Sequence, residues 1–319
     1  MPRVVGIDPG TVSIDVCGLD EGRLFLDRSL PTAQAVADPA SLVRLLDEAG
    51  PLDLVAGPSG YGLPLRRASE LTAADLSLAF LAPEGESGGI GGLRRLVRML
   101  AGCAAPVVLT PGVIHLPSVP AHRKVNRVDM GTADKVCATA LAVREQAERF
   151  ACPEQEVSLI LLELGGAFSA AIGVENGRIV DGLGGSSGPL GASASGALDG
   201  EVAYLAGTIS KAHVFRGGAR SIARMPEAPF EELAARSTPD AARAWDAYLE
   251  SAVKAVAALT VSVPGAREVV LSGRIAQLAA VREELTVRLA RVTPAVVRPL
   301  AGIASSATHA AQGAALIAD

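Results

Sequence analysis

With 319 residues, the chain is long enough for two domains of ordinary size, each able to bury its own core. Aromatic residues make up only 3% and hydrophobic residues 49%, so the core must be built from Ala, Val and Leu, and the composition favours a globular α/β protein over disorder. A formal net charge of -5 gives no electrostatic reason to expect nucleic acid or an anionic membrane as partner, which leaves a small molecule.

No apolar run reaches the ~18 residues of a membrane span, and the chain does not start with a basic-then-apolar signal pattern. Cys17, Cys103, Cys137 and Cys152 lie far apart with no CxxC spacing, which reads as buried thiols in a reducing compartment. A cytoplasmic protein is therefore expected.

In chain order, 4–8 and 13–19 read as a hairpin, and a third strand, 23–28, follows the Glu21-Gly22 turn. The stretch 39–49 has helical spacing, and the apolar strand 52–56 runs into the turn-rich GPSGYGLP, where Ser59, Gly60 and Tyr61 either line a pocket for a small molecule or form a plain surface turn. A glycine-dense loop at 84–92, a helix over 93–101 and a strand at 107–110 follow. Strands alternating with helices after an antiparallel start predict a mixed, mostly parallel sheet. Over 132–150 apolar residues recur on one face of a helix, and the Cys152-Pro153 break sets the expected boundary between domains 1–151 and 152–319.

The second half opens with strands at 158–164, 168–174 and 178–181, then a Gly/Ser-rich tract from Gly182 to Gly200, a mobile lid or a flexible connector. Thr238-Pro239-Asp240 is a helix start, with a capping hydroxyl, proline in the first turn and an acid beside it. Trp245, Tyr248, Leu249, Ala252, Val253 and Val256 form that helix's buried stripe. A strand at 268–271, a helix at 277–290, a strand at 295–298 and a small-residue helix at 305–318 complete the half. The order of a strand meander followed by alternating helices and strands repeats across the two halves.

Asp8, Gly10 and Thr11 sit where the first strand turns. Glycine lets the backbone approach a phosphate, free N–H groups and the Thr11 hydroxyl can bond its oxygens, and the carboxylate can hold Mg²⁺. Asp-Pro-Gly is equally a good hairpin turn. The bend at Gly165, Gly166 and Ala167, with Glu163 two residues before it and Ser169 two after, offers the same parts about 155 residues later. Two such elements, each opening a half, predict one polyphosphate gripped by both, with Asp8 and Glu163 as metal-holding carboxylates. His115, His122, His213 and His309 show no ligand spacing, so no structural metal is expected.

On these residues the chain resembles the superfamily that unites sugar kinases, heat-shock chaperone ATPases and actin with the acetate and butyrate kinases. GIDPGT resembles its first phosphate loop, LELGGAFS its second and VVLSGRIA its adenosine loop, while AAQGAALIAD is similar to its closing helix. The tract GRIVDGLGGSSGPLGASASGALDGEV most resembles the butyrate and acetate kinases, and the chain looks like an uncharacterised family described as predicted butyrate kinases. The resemblance implies two actin-like, ribonuclease H-like α/β domains with a nucleotide cleft between them, ATP and Mg²⁺ as cofactors, and pairing into a homodimer. It implies that Gly10, Thr11, Gly165, Gly166 and Ala167 bind phosphates and that Ser272, Gly273 and Arg274 seat the adenosine. One departure is that the carboxylate kinases carry histidine where Glu163 stands, so a second anionic group either repels a carboxylate acceptor or holds the metal.

The segment AHRKVNRVDMGTADK resembles the catalytic strip of type III pantothenate kinases through Gly131-Thr132-Ala133-Asp134-Lys135. By that resemblance Asp134 is the general base and Lys135 or Arg127 a phosphate or substrate clamp. In the alternative, Asp134 only complements a helix N-terminus and the basic residues are a solvated rim. The expected activity is phosphoryl transfer from ATP to a small-molecule acceptor, a short carboxylate by resemblance. An ATP-driven conformational regulator and an ATP-dependent ligase-like enzyme are the alternatives.

Overall fold

In the computed structural model, which describes residues 2–10, 12–38, 40–58, 60–81 and 89–319, the chain divides into two compact units. The first takes in Met1–Pro117, Thr132–Glu145 and Ala301–Asp319, and the second Ser118–Gly131 and Gln146–Leu300. This differs from the single break expected at 151/152. The physical reason lies in the C-terminal helix His309–Ala318, which packs on the first strand so closely that a Cβ on Gly6 would lie 2.1 Å from the Ala311 carbonyl oxygen. Packing of that kind ties the end of the chain to its beginning.

The first unit's sheet contains β1 (Arg3–Pro9), β2 (Ser13–Asp20), β3 (Arg23–Pro31), β4 (Leu54–Pro58), β5 (Arg66–Arg67) and β6 (Val107–Thr110), in the order β3-β2-β1-β4-β6-β5. The second unit's sheet contains β7 (Leu159–Leu164), β8 (Ser169–Glu175), β9 (Arg178–Leu183), β10 (Glu268–Ser272) and β11 (Val296–Pro299). Its order, β11-β10-β7-β8-β9, repeats the first sheet's arrangement of a meander with two parallel strands added beside its first, without the short antiparallel edge strand β5. Both sheets are mixed. They are not mostly parallel as the sequence predicts, because each meander adds two antiparallel pairings to the two parallel ones made by the later strands. The two meanders also share their turn chemistry. Glu21-Gly22 and Asn176-Gly177 both place two successive residues at positive φ (51° and 72° in each), the hairpin turn whose twist matches that of the strands.

The first strand is apolar on both faces because both faces are covered. Val5 and Ile7 pack with Ile14, Val16, Leu42, Leu46, Leu96 and Leu100. Val4 faces the other way, with Cys17, Leu19, Ala311 and Ala315. In the second unit the long helix Pro239–Thr260 starts as its sequence predicts, with the Thr238 hydroxyl accepting from Ala241 N at 3.1 Å. Its buried stripe, including Trp245, Tyr248, Leu249 and Val256, packs with Ile160, Leu162 and Ala171 of β7 and β8. Among the described residues no helix is long and apolar enough to cross a membrane.

Candidate active site

In the first unit, β1 ends at a sharp turn that returns as β2, pairing Asp8 with Asp15. Asp8 is half-buried and accepts a hydrogen bond from the Thr308 hydroxyl at 2.7 Å. Asp134 stands in the first turn of the helix Ala133–Phe150, where its two carboxylate oxygens accept from the Thr132 hydroxyl and the Lys135 ammonium. Ala133 N donates to the Gly60 carbonyl at 3.0 Å, fixing where that helix begins.

The electrostatics separate the two acids. Burial pushes the Asp8 carboxyl up to about 7, and the Asp134 charge adds to the rise, against the Thr308 hydrogen bond and the Lys135 charge. Burial acts on Asp134 too, but the Lys135 charge and the bonds from Lys135 and Thr132 outweigh it and hold that carboxyl below its ordinary range. The unit therefore presents one acid that is readily protonated and one that stays ionised.

In the second unit the matching turn follows β7. Glu163 lies in register between Ala170 of β8 and Ser272 of β10. Its Oε2 is buried and has no hydrogen-bond partner. Such an orphaned carboxylate oxygen is suited to a cation, so the residue fits the metal-holding role expected of it. The chain leaves β10 at Gly273 with φ +91°, and a Cβ there would lie 2.4 Å from the Leu164 carbonyl oxygen and 2.7 Å from Glu163 Oε1. Only glycine permits that approach. Ser272 is buried at the strand end and Arg274 is exposed just beyond it.

The two turns share a detailed geometry. A Cβ on Gly10 would meet the Ser13 carbonyl oxygen at 2.8 Å, and one on Gly165 would meet that of Phe168 at 2.9 Å. The expectation that both glycines offer free N–H groups needs correction, because Gly10 N donates to the Asp8 carbonyl (3.1 Å) and Gly165 N to that of Phe168 (2.9 Å). Gly166 is the open position, since a Cβ there would meet nothing within 4 Å. Thr11 and Ser59 lie outside the described residues, as do 84–88 of the expected glycine-dense loop, while Gly89 already belongs to the helix Gly89–Leu100. Ser169 is buried, with its hydroxyl 3.4 Å from Tyr248 Oη, so it faces the core instead of a phosphate.

The Gly/Ser tract is anchored on both sides. The Asp129 carboxylate accepts from Ser186 N and Oγ at 2.8 Å each, and the Ala167 carbonyl accepts from Ser193 N and Ala194 N at 3.1 Å each. Ala192 and Ala194 are fully buried. The tract is thus a packed layer on the second turn, which corrects the reading of a lid or connector. Arg127 belongs to this unit, exposed, with its guanidinium donating to the Ser187 carbonyl at 3.2 Å. Asp129 gives a local signal only in hindsight. Gly184 must be glycine because a Cβ there would sit 1.8 Å from Asp129 Oδ1. Thr308, 300 residues from Asp8, is marked only as a helix cap.

A family profile described as "Protein of unknown function (DUF1464)" matches residues 6–319. No curated protein matches. Among solved structures, a propionate kinase from Francisella tularensis subsp. tularensis SCHU S4 superposes with a TM-score of 0.65 at 14% identity, covering 98% of this chain and 99% of that one. Acetate kinase from Entamoeba histolytica gives 0.64 at 12% identity over 91% and 86% of the two chains. A ROK hexokinase from Thermus thermophilus gives 0.52 at 19% identity over 99% and 97%. At these identities the likeness establishes the fold, which is the two-domain α/β fold of the acetate kinases and ROK sugar kinases.

Proposed function

The chain belongs to the DUF1464 family, and on that footing we propose that it is an ATP-dependent phosphotransferase acting on a small-molecule acceptor. The fold is shared with ATP-dependent kinases. One observation carries the reading. An acid followed two residues later by a glycine closes the first strand of both sheets, in turns where a Cβ on the glycine would meet the carbonyl three residues ahead at 2.8 and 2.9 Å. A single hairpin is commonplace, but the same loop at the same place in a repeated strand order supports a role in holding phosphates.

When bound, Mg·ATP supplies the phosphoryl group and the charge neutralisation. Among the described residues no three His, Cys, Asp or Glu side chains converge on one point. An ion held by one or two carboxylates plus phosphate oxygens is the manner of Mg²⁺, and Asp8 and Glu163 are the carboxylates we assign to it. To the phosphates we assign Gly10, Thr11, Gly165, Gly166 and Ala167, and to the adenosine Ser272, Gly273 and Arg274. Lys135 or Arg127 is the clamp we assign to phosphate or acceptor.

Short-chain carboxylates are the acceptor class favoured by resemblance to the butyrate and acetate kinases. The ionised Asp134 beside Asp8 favours a second class, hydroxyl acceptors, since it opposes a further anion and, as the assigned general base, would take a hydroxyl proton on Oδ1 or Oδ2. A carboxyl of low basicity suffices there if the proton leaves late in a loose transfer. ADP release measured across a panel of carboxylates and alcohols tests the assignment. Acceptor-dependent release supports the kinase. A slow basal rate unaffected by any acceptor supports a conformational regulator, and release only with an added amine supports a ligase.

A further inference from the structure

We propose that Thr308 is the positioning residue for Asp8, and that the segment 303–307 is built to hold Thr308 in place. The proposal rests on the reading of Asp8 as the carboxylate that handles the metal–nucleotide.

The Thr308 hydroxyl makes two bonds at once. It accepts from Ala311 N at 3.3 Å, as the cap of the helix His309–Ala318, and donates to Asp8 Oδ2 at 2.7 Å. A hydroxyl has one proton, so using a lone pair for the cap leaves that proton directed at the carboxylate.

The segment before it is clamped from two sides. From the sheet, the Asp27 carboxylate of β3 accepts from Ser305 N and Oγ (3.0 and 2.9 Å), Ser306 N (3.0 Å to Oδ2) and Ala307 N (2.7 Å). From the helix, the Gln312 amide, buried at 1% exposure, accepts from Ile303 N (2.6 Å) and Ala304 N (3.2 Å). It also donates to the carbonyls of Ala304 (3.3 Å) and Ala307 (2.7 Å). Seven bonds to main-chain groups and one to a hydroxyl fix five residues, far more than capping one ten-residue helix requires.

The helix itself is seated by backbone contact. Gly6, two residues before Asp8, meets the Ala311 carbonyl and Ala315 N, where a Cβ would lie 2.1 and 2.2 Å away. On the opposite side Gly313 meets the Cys137 carbonyl, where a Cβ would lie 1.8 Å away, one turn beyond Asp134. The helix that presents Thr308 is therefore locked to both the strand that carries Asp8 and the helix that carries Asp134. A rigid-body movement of either element would move the donor with it.

A simple cap and a positioning donor make different predictions for three variants of the full chain. Thr308→Ser keeps cap and donor, whereas Thr308→Gly keeps most of the capping stability and loses the donor. Asp8→Asn removes the charge the donor serves. Thermal unfolding of the single and double variants reads the bond itself, independent of any nucleotide. We expect Thr308→Gly to lower Tm less than half as far in the Asp8→Asn background as in the wild type. Calorimetric titration with ADP reads its purpose, with Thr308→Gly binding at least about fivefold more weakly in Mg²⁺, unchanged in EDTA, and Thr308→Ser matching the wild type. Additive Tm shifts together with an unaltered Mg·ADP affinity in Thr308→Gly would overturn the proposal. A coupled Tm cycle in a wild-type chain that binds no Mg·ADP would keep the positioning bond and overturn the nucleotide reading instead.

Discussion

Gly10 and Gly165 occupy the same point of their respective turns, each with its α-carbon turned toward the carbonyl three residues ahead, 2.8 and 2.9 Å from where a Cβ would stand. The contact is with backbone, so an added methyl cannot be absorbed by a side-chain rotation. Gly165→Ala is expected to cost about 1–3 kcal/mol of stability, and Gly166→Ala, which meets nothing, less than about 0.5 kcal/mol. Urea midpoints of the two variants measure the contrast.

The seating of the C-terminal helix gives a larger effect. Gly6→Ala places a methyl 2.1 Å from the Ala311 carbonyl oxygen and 2.2 Å from Ala315 N, forcing the helix off the sheet. We expect a loss of about 3 kcal/mol or more, read as a lowered urea midpoint with the m-value retained.

Stability of the ligand-free protein depends on pH through Asp8. Its folded carboxyl is raised to about 7 by burial and then by the Asp134 charge, so between its ordinary value and neutrality the folded chain binds more protons than the unfolded one. Stability therefore falls as pH rises through this window. Asp8→Asn should abolish that part of the slope and stabilise the apo protein at pH 8 by about 1–2 kcal/mol, the full shift being discounted for water at a half-buried group. Thermal unfolding of both proteins from pH 5 to 8 measures it.

The same residue should matter in the opposite sense for activity. Asp8→Ala is expected to lower turnover by about 100-fold or more while leaving Tm unchanged or raised, because alignment and charge neutralisation at the phosphates dominate such transfers. Wild-type turnover in Asp8→Ala would remove the assigned role.

Much of the fold was legible locally. The strands of both meanders are visible in their apolar runs and their turn glycines, and the Thr238-Pro239 start of the long helix in its capping chemistry. The helix Ala73–Phe80 was not anticipated, although Thr72 and Asp75 form a capping box that marks it. The last helix was expected from Ser305 but begins at His309, because Asp27 takes the amides of residues 305–307 from across the chain. That partnership, like Thr308 with Asp8, links positions about 280–300 residues apart, and no window of sequence contains both ends. The free N–H groups expected of Gly10 and Gly165 failed for a related reason. Their amides are spent on the turns that create the site, and composition does not reveal which amides a turn consumes.

Nucleotide binding is read most directly by calorimetric titration of a non-hydrolysable ATP analogue into the full chain, with and without Mg²⁺. Saturable binding at one site per chain, strengthened by Mg²⁺ and weakened in Glu163→Ala and Asp8→Ala, is the predicted result. A wild-type chain that gives no heat with the analogue and Mg²⁺, at protein concentrations where its folding is verified, would contradict it.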